Sequence, residues 1–132
     1  MPLFGLGVWA AQSGKETYDA VLSALNTGYR HIDTAEMYGN EKDVGAAVND
    51  SGLKREDVFV TTKLWDSGFG YDHALKAFDV SLQKLNLEYV DLYLIHWPEK
   101  GSQLKIWRAL ERIKKEGRSR SIGVSNFAPR HL

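Results

Sequence analysis

Apolar residues along this chain follow two alternating rhythms. Tyr18, Val21, Leu22 and Leu25 fall at i, i+3, i+4 and i+7, which is one stripe of a helix. Val44, Ala47 and Val48 mark a second helix, Leu75, Phe78, Leu82 and Leu85 a third, and Ile106, Trp107, Leu110 and Ile113 a fourth. At this spacing Trp107 reads as core. Between the stripes stand short apolar or β-branched runs that read as strands: Phe4 to Trp9, Tyr29 to Asp33, Val58 to Lys63, Tyr89 to His96 and Ser121 to Val124. Punctuation agrees with this division. Ser13-Gly-Lys-Glu16 reads as a capping box for the first helix, with Ser13 bonding forward and Glu16 back, and Gly28 stops that helix. Asn40 reads as the cap of the second helix, residues 49–52 as its end, and Gly117 as the end of the fourth.

Strands that alternate with helices predict a parallel sheet with right-handed crossovers. Strand ends fall at Asp33, Lys63, His96 and Ser125, with gaps of 30, 33 and 29 residues. That regularity suits an α/β fold of the parallel (β/α)8, TIM-barrel type. A closed barrel has eight strands and about 250 residues, whereas this chain of 132 residues offers five strands and four helices. The expectation is one partial barrel over residues 1–132, the first to fifth βα units. Its first and fifth strands are expected to be unpaired apolar edges. Either a longer chain or self-association through those edges would cover them.

Composition narrows the function classes. Apolar residues make up 43% and charged residues 26%, as in globular proteins, and 17 basic residues balance 17 acidic ones. That balance removes the usual argument for nucleic acid or an anionic membrane as partner. With no cysteine there is no thiolate metal site or disulfide framework, and no metal site is expected. No apolar run has the length of a membrane span, and the start lacks the layout of a signal peptide. The cytoplasm is the expected location.

In a parallel α/β protein the carboxyl ends of the strands share one rim, where chemistry collects. Asp33, Lys63 and His96 end strands, and Tyr38 lies in the loop five residues after Asp33. An ammonium beside a phenol favours phenolate and makes Tyr38 a better acid near neutrality. Asp33 would hold Lys63 charged and fixed, and His96 could hydrogen-bond a carbonyl oxygen from another side. Such a set serves an oxygen gaining negative charge, as when an aldehyde or ketone is reduced by an external hydride. Each residue also has a plainer role: Asp33 and Lys63 an ordinary ion pair, Tyr38 packing, His96 a satisfied core histidine. Ser125 and Asn126 could bind a cofactor amide or cap a helix. Trp9, Trp65 and Trp97 follow strand ends and could wall a dry pocket.

Two other motifs are decoys. Gly5-Leu-Gly7-Val-Trp-Ala10 fits a dinucleotide fingerprint, but too few residues precede it for a first strand, and the helix cap at Ser13 puts the phosphate geometry out of place. Tyr38-Gly-Asn-Glu-Lys42 fits the tyrosine–lysine spacing of short-chain dehydrogenases. There the two share a helix face, whereas Gly39-Asn40 puts Tyr38 in a loop.

Five segments, in order, resemble the aldo-keto reductase family: Gly5-Leu-Gly7-Val-Trp9; His31-Ile-Asp33-Thr-Ala-Glu-Met-Tyr38-Gly-Asn-Glu41; Thr62-Lys63-Leu-Trp65; Asp91-Leu-Tyr-Leu-Ile-His96-Trp-Pro98; and Ile122-Gly-Val-Ser-Asn-Phe127. The resemblance implies a (β/α)8 barrel, NADPH as cofactor and a small-molecule carbonyl as substrate. It implies Tyr38 as proton donor, Lys63 and Asp33 as the pair that tunes it, and His96 as the group orienting the carbonyl. It implies Ser125 and Asn126 on the nicotinamide carboxamide, Asp33 and Thr34 near the cofactor, and Trp9, Trp65, Trp97 and His96 about the pocket. The short connection from His96 to Gly101 is similar to that of compact microbial members. A non-catalytic binding or regulatory subunit with a reductase fold is the competing class, and a self-associating half-barrel a third. The hairpin before the first strand and strands six to eight, which carry most of the family's cofactor grip, are not in this sequence. The 132-residue chain alone is therefore expected to turn over little or no NADPH. Micromolar binding in a cofactor fluorescence titration would overturn that expectation.

Overall fold

The computed structural model describes residues 1–65, 70–98 and 101–131. Five parallel strands, β1 (Leu6–Gly7), β2 (His31–Asp33), β3 (Phe59–Leu64), β4 (Val90–Ile95) and β5 (Ser119–Val124), lie side by side in chain order. Four helices connect them: α1 (Lys15–Asn26), α2 (Glu41–Asp50), α3 (Tyr71–Leu85) and α4 (Gln103–Lys115). Glu36–Tyr38, Arg55–Asp57 and Pro129–His131 form 3-10 turns. A strand order that follows the chain, with right-handed crossovers, puts every helix on one face of the sheet. Consecutive helices accordingly touch in sequence, α1 on α2, α2 on α3 and α3 on α4. Of the connection from His96 to Gly101, positions 99 and 100 lie outside the described residues.

Side-chain alternation divides the sheet. Ile32, Val60, Leu64, Tyr93 and Ile95 point toward the helices and form one core with Val21, Leu25, Val44, Phe78, Leu82, Leu85, Ile106, Leu110 and Ile113. His31, Asp33, Thr61 and Lys63 have the opposite parity. So the helix-facing side is mostly apolar, broken by Thr62 and Asp91, while the other side carries His31, Asp33, Thr61 and Lys63 beside Leu92 and Leu94. Close packing sets the α2–α3 spacing at Gly45. A Cβ built there would stand 1.9 Å from the Leu85 carbonyl oxygen.

Several local readings differ from the sequence expectation. The Ser13–Glu16 capping box does not form. Gly14, at φ 101°, takes the cap position of α1 without a side-chain cap bond. Ser13 Oγ donates instead to Asp43 Oδ2 of α2 at 2.8 Å, and Glu16 accepts from the Gln12 N–H at 3.3 Å. Asn40 stands at the cap position of α2, yet its side chain makes no cap bond. β1 and β2 are shorter than read. Trp107 is half-buried at the rim of the core, its indole N–H donating to Glu111 at 3.1 Å. The β5 edge is not uniformly apolar, since Arg120 and Ser121 are exposed; charge on an edge discourages strand addition.

The amino ends of the strands are held by a separate charged cluster. Asp91 is buried and accepts from Arg55 Nη2 at 2.7 Å and from the Val60 N–H at 3.0 Å, with Arg120 Nη1 at 3.4 Å. Both guanidiniums lie 4.2 Å from the Tyr89 ring centroid, so the ring is clamped between cations. A cavity of about 520 Å³ opens here, with Lys54, Arg55, Arg120, Glu56 and Glu88 in its walls. Among the described residues no helix is long and apolar enough to cross a membrane.

Gly45→Ala should lower stability by about 1–3 kcal/mol, because the added methyl meets backbone that cannot yield. Gly7→Ala, with nothing within 4 Å of the new carbon, should change it by less than about 0.5 kcal/mol. Paired denaturant melts measure both.

Candidate active site

Strand pairing builds the site from its base. β2 and β3 run in register, with Asp33 opposite Thr61, so Asp33 and Lys63 emerge at the same rim of adjacent strands. Lys63 Nζ lies 2.5 Å from Asp33 Oδ1 and donates to the Thr34 carbonyl at 2.9 Å. The Lys63 side chain is 8% exposed and Asp33 35%, so the ammonium is nearly enclosed and its partner half-open. The same ammonium stands 5.2 Å from the Tyr38 ring centroid.

His96 follows β4, its N–H bonded to the Leu64 carbonyl at 3.1 Å, which places it beside the end of β3. Its ring meets Tyr38 edge-on at 5.7 Å between centroids and Trp65 edge-on at 5.4 Å. Trp97 lies nearly parallel to it at 6.4 Å. Burial lowers the His96 pKa from its usual 6.5, and the Lys63 charge lowers it further against the pull of Asp33. Near neutrality the ring is therefore uncharged, with one N–H to donate.

The loop after β5 joins this rim. The Ser125 N–H bonds to the Ile95 carbonyl at 2.8 Å. Asn126 takes a left-handed backbone, φ 61°, and its Nδ2 donates to the His96 carbonyl at 2.9 Å and to Ser125 Oγ at 3.1 Å. That leaves the Ser125 hydroxyl proton and Asn126 Oδ1 side by side without a protein partner among the described residues.

Asp33, Tyr38, Lys63, His96, Ser125 and Asn126, with Trp65 and Trp97, thus gather at one rim. Two further expected residues are placed differently from these rings. Trp9 is 74% exposed and is not among the rings packed on His96. Thr34 is fully buried, with its hydroxyl donating to Asn40 Oδ1 at 2.8 Å; it contributes its carbonyl, which accepts from Lys63.

Three supporting residues were not foreseen from the sequence. Glu36 accepts from the Trp65 N–H at 3.0 Å. Asn40, fully buried, donates to the carbonyls of Val8 at 3.0 Å and Ala11 at 3.3 Å. Glu41, also fully buried, accepts from the Thr62 hydroxyl at 2.6 Å. The one signal in the chain was their position, packed around Tyr38 in a segment too short to satisfy itself.

Comparison with known proteins places the fold in a family. The aldo/keto reductase family model matches residues 3–132. The chain belongs to the aldo/keto reductase family. It is 55% identical over 132 residues to a 9,11-endoperoxide prostaglandin H2 reductase of Trypanosoma cruzi, covering all of this chain and 47% of that protein. An aldo/keto reductase crystal structure from Brucella melitensis superposes with a TM-score of 0.95 at 55% identity, over 100% of this chain and 52% of that one. A mutant of Gox0644, solved in complex with NADPH, gives a TM-score of 0.87 at 43% identity, over 100% and 48%. The five-stranded sheet is thus part of an aldo/keto reductase (β/α)8 barrel, and the chain spans about half the length of the curated relatives it matches.

Burial also lowers the His31 pKa from 6.5, with Asp33 opposing. Between their folded values and about 6.5 both histidines bind fewer protons folded than unfolded, so stability is full above that range and is lost on acidification through it. Glu41 runs the other way. Burial raises its carboxyl above the usual 4.5, against the Thr62 and Ser81 hydroxyls and Lys84. Its contribution is complete below 4.5 and is lost as pH rises through the folded value. Glu41→Gln should therefore gain on the wild type in melts as the pH climbs above 4.5. In NMR titrations His96 should protonate below 6.5 and move back toward it in Lys63→Met.

Proposed function

We propose that this chain carries the proton-transfer half of an NADPH-dependent carbonyl reductase, which converts aldehydes or ketones to alcohols. One observation carries the reading: a single ammonium, Lys63, is shared between the Asp33 carboxylate and the face of Tyr38, whose ring packs edge-on against an uncharged His96.

Tyr38 is the proton donor. It gives its phenol proton to the carbonyl oxygen as negative charge builds there. Lys63, held by Asp33 and the Thr34 carbonyl, stabilises the charge left on the phenolate oxygen. His96 donates one hydrogen bond to the same substrate oxygen and so orients it. Trp65 and Trp97 exclude water around the imidazole. The loop after β5 fits a carboxamide: the Ser125 hydroxyl can donate to an amide oxygen while Asn126 Oδ1 accepts from an amide NH₂. Nicotinamide presents that pair of groups, and Asp33 lies on the same rim. When bound, NADPH supplies the hydride. The relative solved with NADPH supports the choice of cofactor.

In a protein carrying the rest of the barrel, Tyr38→Phe should cut single-turnover oxidation of NADPH with a small aldehyde by about 10²–10⁴-fold, the usual range for a lost general acid. NADPH affinity should stay within about twofold, less than half of the 1.4 kcal/mol that a tenfold change represents. Unchanged turnover in that variant would refute the assignment of Tyr38.

A further inference from the structure

Behind the Tyr38–Lys63 mouth, on the opposite face of β3, lies a polar cluster that the proposed chemistry does not use. Thr62 precedes Lys63, so its side chain turns toward the helices. There it donates to Glu41 Oε1, and Glu41 is the first residue of α2, three residues after Tyr38. Glu41 Oε2 makes no hydrogen bond within 3.5 Å, although Ser81 faces it, and neither do the buried Ser81 Oγ and Tyr93 hydroxyl. A carboxyl in the first turn of a helix normally faces water, where the helix dipole favours it. Enclosing it is unfavourable, and an apolar side chain would fill the space with less penalty. A role in filling the core therefore accounts poorly for a hydrogen-bonding side chain at this position.

The neighbouring contact explains it better. Glu36 and Glu41 flank the four residues Met37 to Asn40, which include Tyr38. Glu36 reaches the Trp65 N–H and Glu41 the Thr62 hydroxyl, and these two points flank Lys63 and Leu64. The Tyr38 segment is thus fastened to the lysine strand at both of its ends. Asn40 adds ties to Thr34 and to the Val8 and Ala11 carbonyls, but those run to the β1 and β2 side.

We infer that Glu36 and Glu41 are positioning residues, a two-point staple that fixes the Tyr38 phenol over the Lys63 ammonium. This rests on the reading of Tyr38 as proton donor. The groups facing Glu41 are Thr62 of β3, Ser81 and Lys84 of α3, and Glu36 of its own loop. Glutamine keeps the shape and the acceptor for Thr62, so Glu41→Gln should preserve the staple, while Thr62→Val keeps the shape and removes the donor.

The test is NMR on the 132-residue chain. The readouts are cross-peaks between the Tyr38 and His96 rings and between Tyr38 and the Lys63 side chain, with amide exchange over residues 36–40. In Thr62→Val and Glu36→Ala the cross-peaks should fall at least about twofold. Exchange over residues 36–40 should quicken about tenfold relative to the rest of the chain, the effect of losing one hydrogen bond. Glu41→Gln should match the wild type. Val44→Ala, a core truncation on the same helix, should leave the cross-peaks unchanged. Wild-type spectra in Thr62→Val, or equal losses in Val44→Ala, would overturn the inference. Full turnover by Tyr38→Phe in the barrel-length protein is a separate result; it overturns the reading of Tyr38, and the staple's catalytic purpose with it, whatever the spectra show.

Discussion

The pairing of Asp33 with Lys63 is the constraint on which the carboxyl rim depends. An ammonium that is 8% exposed would be very unfavourable without a partner. Here it has a carboxylate and a backbone carbonyl, and both come from the turn out of β2. The sheet register delivers them, since parallel pairing of β2 with β3 fixes which residues reach the rim together. Once the lysine is in place, Tyr38 and His96 gather around it, one across the cation and the other across the phenol ring. Removing either charge would disturb the whole group, not a single bond.

The same physics operates at the other rim with a different result. Asp91 is as enclosed as Lys63, but two arginines and a backbone N–H satisfy it, and Tyr89 fills the space between the guanidiniums. The adjoining cavity has Lys54, Arg55 and Arg120 with Glu56 and Glu88 in its walls, and the Arg55 guanidinium there is spent on Asp91 and on the Val58 and Tyr89 carbonyls. One buried ion pair joins the ends of strands as structure; the other leaves an open side toward aromatic rings. Burial alone does not separate them. What each charge faces does.

Much of this was legible in the sequence, and the failures have physical causes. Helical stripes and β-branched runs located all five strands and four helices, because those periodicities follow from burying one face of each element. Asp33, Lys63 and His96 could be placed on one rim because parallel strands share a direction. Side-chain hydrogen bonds across elements were not readable. Ser13 was expected to cap its own helix, but Asp43 of the neighbouring helix accepts its hydroxyl and the adjacent Gly14 N–H. Asn40 occupies a cap position, yet its Oδ1 accepts from the Thr34 hydroxyl while its Nδ2 donates to the Val8 and Ala11 carbonyls. Glu41 looks like a solvated first-turn acid, and only the packing of α2 against α3, as close as Gly45 permits, shows it enclosed. Trp9 followed a strand end like Trp65 and Trp97, but it is 74% exposed and makes no ring contact with His96.

The strand order, which repeats the order of the chain, has a kinetic consequence. Each strand pairs with the one about thirty residues before it, so no contact in the sheet waits for a distant part of the polypeptide. Assembly can proceed as growth at one edge, each βα unit docking on the last as it emerges during synthesis. The carboxylate and its lysine can meet once the third strand docks on the second, a step that needs no contact from the strand bearing the histidine. The reactive corner is thus founded early, and later units settle onto charges already in place.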